Sequence, residues 1–127
     1  MTGPTFMDII TAVLSVSIEV QDQEKALAFY RDVLGCQVRV DAEPWPGARY
    51  LEVVAPGSPV GIVLVTRAGG LPIGVRYSTP DAEAAHRALR EAGVTPHQEV
   101  LYTDFAPPMF TFPDQDGNMA ILIEGGD

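Results

Sequence analysis

The sequence is short of cysteine, basic residues, histidine and long apolar runs, and each shortage excludes something. A single cysteine, Cys36, forms no internal disulfide and no cysteine-based metal cluster. Lys and Arg total 8 against 17 Asp and Glu, giving a formal net charge of −9. Such a chain repels phosphate backbones, which sets nucleic-acid binding aside. No apolar run approaches the ~18 residues of a membrane span. No basic-then-apolar leader is present. The expectation is a cytoplasmic protein without a membrane partner. Of the two histidines, His86 reads as facing solvent or packing on the helix flank and His97 as a surface residue, neither as a metal ligand. Asp114 and Asp116, in PDQDGN, lack the later ligands of a calcium loop and read as a turn.

What is present is an ordinary core: 127 residues, 46% hydrophobic, enough for one domain without staples. Its organising stretch is VQDQEKALAFYRDVLG, residues 20–35. Asp22 is placed to cap a helix, Glu24 suits the positive end of its dipole, and Gly35 stops it. Leu27, Tyr30 and Leu34 share a face, with Phe29 and Val33 beside them. The pattern returns 59 residues on, from Asp22 to Asp81, as STPDAEAAHRALREAG. Around it lie strand patterns at 12–20, 36–40, 49–54 and 61–66, then at 73–78, 99–102, 109–112 and 119–123. DAEPWPG (41–47) reads as a loop and RAGGL (67–71) as the linker between halves. Residues 1–11 carry no pattern and read either as frayed or as an arm that pairs with a partner.

Both halves therefore read β-α-β-β-β. The expected fold is α+β: modules over 12–66 and 71–124, each a curved mixed sheet with its helix on the convex side, together enclosing a central cavity. Strand faces turned away from the helices line it: Ser15, Ser17 and Glu19 in one half, Gly74, Arg76 and Ser78 in the other.

The run VQDQEKALAFYRDVLG, its echo PDAEAAHRALREAG and the turn FPDQDGN resemble the vicinal oxygen chelate superfamily, the group of glyoxalase I, bleomycin-resistance proteins and extradiol dioxygenases. The resemblance spans about residues 13–124. It implies the paired βαβββ fold and, for the enzymes of the group, a divalent metal. Carried over, the ligand positions fall at Ser15, Gly74, Ile121 and near Gly61, none of which supplies a carboxylate or imidazole. The expectation is no metal and no cofactor.

Chemistry then rests on aromatics and a few charges. Trp45, between two prolines, reads as a wall or lid for a flat ligand, or equally as a loop anchor. Tyr102, Phe105 and Phe110 are candidates for an opposite wall, and Tyr50 joins the ligand-facing set. Glu19 and Arg76 are placed to pair across the repeat, and Glu52 is a third candidate charge whose face the pattern leaves open. The ligand-binding set is thus Ser17, Glu19, Trp45, Tyr50, Glu52, Arg76, Tyr102, Phe105 and Phe110. Two functions stay open. One is a metal-free protein that sequesters an aromatic or cationic, antibiotic-like small molecule, as a homodimer in the manner of the resistance proteins. The other is an enzyme (lyase, isomerase or dioxygenase) with an unorthodox or absent metal, using Glu19, Glu52 or Arg76.

Overall fold

A computed structural model describes residues 9–125. The chain is a mixed α+β fold whose element order is β1 (Ala12–Glu19), α1 (Gln23–Ala28), a π turn (Phe29–Val33), β2 (Gln37–Trp45), β3 (Ala48–Val54), β4 (Gly61–Val65), β5 (Val75–Thr79), α2 (Ala82–Glu91), β6 (Met109–Pro113) and β7 (Met119–Glu124). It divides into two compact units. One is Leu14–Arg76; the other is Tyr77–Asp127 with Met1–Val13. Among the described residues, no helix is long and apolar enough to cross a membrane.

In the unit of residues 14–76 the hydrogen-bonded strand order is β2-β3-β4-β1. β1 and β4 run parallel, with Ser15 opposite Gly61 and Ser17 opposite Val63. β3 is antiparallel to both β4 and β2. The near-continuous apolar run of β4 is central, as a strand covered on both faces requires. Alternation divides β3. Leu51 and Val53 pack with Leu27, Cys36 and Leu64 on the helix side, while Tyr50 and Glu52 point to the other face.

The 41–47 stretch is not a loop. β2 runs through it to Trp45, with irregular pairing between Ala42 and Trp45. Pro44 lacks an amide donor, and an edge strand such as β2 tolerates that loss. The first helix also departs from the expected amphipathic cylinder. Its α-helical part ends at Ala28, and the next turn widens so that the Leu34 amide reaches back to the Phe29 carbonyl at 3.1 Å. The wider turn shifts the angular spacing of the side chains. Leu27 stays buried, Tyr30 packs against the core, and Phe29, Val33 and Leu34 are exposed.

In the other unit β7 lies between β5 and β6, and α2 covers a core of Ala85, Leu89, Phe110, Phe112 and Leu122. The strand expected over 99–102 shrinks to a single bridge, Leu101 to Met109. The Gln98 side-chain oxygen takes the Thr111 amide at 2.7 Å, a donor that a continuing ladder would use. Pro107 and Pro108 supply no amide on the other side of the bridge. The expected partner-pairing arm lies mostly at 1–8, outside the described residues. Thr11 donates its amide to the Ser78 carbonyl of its own chain at 2.9 Å.

The internal echo holds at atomic detail. The Asp22 carboxylate accepts from the Lys25 amide at 3.1 Å, and Asp81 does the same for Ala84 at 3.1 Å. Asp22→Ala and Asp81→Ala should each cost about 1 kcal/mol in urea unfolding. Leu51→Ala, which empties a fully buried site, should cost about 2–5 kcal/mol by the same measurement.

Candidate functional site

The face of residues 14–76 turned away from α1 carries a buried polar cluster. β1 contributes Ser15 and Ser17, β3 contributes Tyr50 and Glu52, and the start of β5 contributes Arg76. Ser15, Ser17, Glu52 and Arg76 are 2%, 8%, 5% and 4% exposed. Burial at that level demands partners, and the cluster supplies them. Glu52 is its centre. Its Oε1 accepts from the Tyr50 hydroxyl at 2.8 Å. Its Oε2 accepts from Arg39 Nε at 2.7 Å and from Arg39 Nη2. Arg39, reaching over from β2, also donates to the carbonyls of Pro59 at 3.0 Å and Leu14 at 3.3 Å. Arg76 donates to Ser17 Oγ and to the Pro72 carbonyl at 3.3 Å, and its guanidinium lies 5.1 Å from the centre of the Tyr50 ring. Ser17 and Arg76 are 59 positions apart, the offset of the two helix caps, so they occupy matching places in the repeat.

Burial pushes the Tyr50 phenol up to about 12, with the Glu52 hydrogen bond adding to the shift and Arg76 opposing it. Burial also lowers Arg76 from its ordinary value, while Tyr50 and Glu52 hold it up.

The positions where the resemblance places metal ligands can be tested here. Ser15 and Gly61 face each other across β1 and β4. The space above Gly61 is already taken. A Cβ built there would collide with the Glu52 carboxylate, its Cδ at 2.8 Å, and with Arg39 Nη2 at 2.7 Å. A cation and a carboxylate locked together fill the place of a ligand side chain. In the other unit Ile121 is a fully buried core residue. The described residues hold no group of three or more His, Cys, Asp or Glu placed to share a metal. This donor set does not fit a divalent ion.

Several expected site residues lie elsewhere. Glu19 does not pair with Arg76. Arg67 takes it instead, at 2.7 Å, at the exposed end of β1, where a cation two residues beyond β4 is nearer to hand. Trp45 ends β2, half-exposed, and donates Nε1 to the Gly69 carbonyl at 3.2 Å. Phe110 is fully buried beside α2, with His86 edge-on at 4.9 Å, so it is a core residue rather than a wall. Tyr102 is exposed and donates its hydroxyl to Glu83; Phe105 is exposed. His86 is buried rather than solvent-facing, and its Nε2 lies 2.9 Å from the Gln98 carbonyl oxygen. It borders a depression of about 410 Å3 on α2 that is otherwise lined by charged side chains of both signs. Arg39 was missed in the sequence. CQVRV carries no local signal for this role, since Arg39 lies on an exposed edge strand and only the pairing of β2 with β3 brings it to Glu52.

The family model for the Glyoxalase/Bleomycin resistance protein/Dioxygenase superfamily matches residues 12–122. Uncharacterized protein YetH of Bacillus subtilis (strain 168) is 24% identical over 121 residues, 91% of this chain and all of the relative. Among solved structures, methylmalonyl-CoA epimerase from Mycobacterium tuberculosis is 22% identical, covers 98% of this chain and 94% of its own, and superposes with a TM-score of 0.76, a likeness of fold. TnmS3, an antibiotic binding protein from Streptomyces sp. CB03234, is 30% identical over 92% of this chain and 98% of its own, with a TM-score of 0.42.

Two measurements check the site. Gly61→Ala should displace Glu52 from Arg39 and lower the melting temperature by several degrees, because a buried carboxylate loses its cation. In an ultraviolet titration Tyr50 should ionise near pH 12, and Tyr50→Phe should remove one late-ionising phenol. The folded-state value lies above the ordinary 10, so the stabilisation is full below pH 10 and is lost as pH rises toward 12.

Proposed function

This chain belongs to the Glyoxalase/Bleomycin resistance protein/Dioxygenase superfamily, and on that premise we propose that it is a metal-independent small-molecule-binding protein. Its binding surface in this reading is the helix-free face of residues 14–76. The observation that carries it is the Arg39–Glu52 pair above Gly61, which fills the space of an absent ligand side chain and leaves a hard cation no donors. Tyr50 offers an aromatic face, and Arg76, held by Ser17, offers hydrogen-bond donors, to a flat, partly aromatic compound. Both Glu52 oxygens are engaged, so the carboxylate is better suited to hold the cluster's shape than to carry protons. An antibiotic-like ligand, a cytoplasmic location and a homodimer belong to the same reading. The ligand and the dimer rest on the resemblance, since superfamily members bind small molecules and commonly form dimers; the location rests on the sequence expectation.

Turnover through Glu52 is the second reading, favoured by the burial of that carboxylate beside a tyrosine hydroxyl. One experiment separates the readings. Protein purified without chelator or affinity tag is assayed for metal and for stabilisation by nickel, zinc, manganese and iron. It is then incubated with aromatic natural products, which are recovered for mass spectrometry. Substoichiometric metal, no stabilisation by the four ions and ligand returned unchanged are expected. One metal per chain overturns the metal-independent reading, and a converted ligand gives the enzyme reading precedence.

A further inference from the structure

Arg76 is a cation that the fold leaves without an anion. It is 96% buried by its 4% exposure, yet it forms no ion pair among the described residues. Its hydrogen bonds go to a hydroxyl and a carbonyl, Ser17 Oγ and Pro72 O, both neutral acceptors. The carboxylate of its own cluster is spent elsewhere, since Glu52 accepts from Tyr50 with one oxygen and from Arg39 with the other. Two guanidinium groups thus share one carboxylate, and the cluster keeps one positive charge in excess, although the whole chain carries −9. A buried, unneutralised guanidinium is costly. Its fork also matches a planar oxyanion better than any neutral acceptor.

Those two bonds use two of the five guanidinium N–H groups, and Nε–H is not one of them. Nε of Arg76 donates to no group among the described residues. Thr79 Oγ1 is the only side-chain polar atom among the described residues that is both fully buried and unpartnered. The Arg76 Nε–H therefore retains contact with accessible space. The guanidinium carbon lies over the Tyr50 ring, 5.1 Å from its centroid, so that ring borders the open donor.

We propose that Arg76, oriented by Ser17, is an anion-recognition subsite that takes a carboxylate or a similar planar oxyanion carried on a flat, unsaturated ring system, with Tyr50 as the surface against which the ring rests. The proposal rests on the binding reading above and gives it a ligand class. It also replaces the cationic ligand that the overall acidity suggests, because the local charge at the cluster has the opposite sign to the global one.

The test uses the full chain and three probes of one shape: naphthalene-2-carboxylate, its neutral carboxamide, and naphthalen-2-ylmethylammonium. Binding is read by calorimetry and by proton NMR. The carboxylate should bind at least tenfold more tightly than the carboxamide, and the ammonium most weakly. Arg76→Gln should bring the carboxylate-to-carboxamide ratio near one while leaving carboxamide binding in place. Arg31→Gln, which removes an exposed arginine from the π turn, should leave the ratio unchanged. Should Arg76→Gln fail to fold, Arg76→Lys and Ser17→Ala serve instead, and each should reduce the ratio at least threefold. Equal or tighter binding of the carboxamide or ammonium by the wild type overturns the subsite and leaves the binding reading standing. A ratio that survives in the Arg76 and Ser17 variants also overturns it. If none of the three probes binds, the flat-ligand reading fails and the subsite falls with it.

Discussion

The hydrogen-bonded carboxylate of Glu52 is the constraint on which the helix-free face of residues 14–76 depends. A carboxylate 5% exposed within a sheet is tolerable only when its lone pairs are met. Arg39 meets them from the edge strand and Tyr50 from two residues away on the same strand. Much of the surrounding sequence then follows. Residue 61 must lack a side chain, because the ion pair occupies its space. Tyr50 is held with its ring toward Arg76, and Arg76 in turn is anchored to Ser17. The lost glycine Cβ, the paired charges and the buried hydroxyls are consequences of one packing solution.

That solution bears directly on chemistry. A family scaffold built to hold a divalent ion needs several anionic or imidazole donors converging on one point. Here the buried carboxylate of the cluster is neutralised by a guanidinium, and the position facing Ser15 is a glycine. A fixed organic cation stands where the resemblance implies a metal ligand. Positive charge is retained on the face, but in a form that recognises planar oxygen groups by hydrogen bonds rather than by coordination.

The repeat was the most legible part of the sequence. Asp22 and Asp81 cap their helices through the same bond, because capping is local chemistry set by one side chain and three following residues. Strand alternation correctly separated Ser15 and Ser17 from the core-facing residues for the same reason. What failed needed information from a distance. Whether Pro44 interrupts β2 depends on which strand is at the edge. Whether 99–102 pairs depends on Gln98 capturing the Thr111 amide. Glu19 and Arg76, on the same face in opposite halves of the repeat, do not pair, because Arg67 is the cation nearer to Glu19 in space. Arg39 escaped notice because its role is defined by Glu52, thirteen residues away across a hairpin.

The most direct test of this account is a double-mutant cycle between Arg39 and Glu52, using Arg39→Gln, Glu52→Gln and both together in urea unfolding. If the pair holds the face together, the two changes should be strongly non-additive, with a coupling of about 1–3 kcal/mol. A coupling indistinguishable from zero would mean that each side chain serves the fold independently, and the claim that their pairing replaces a ligand position would be wrong.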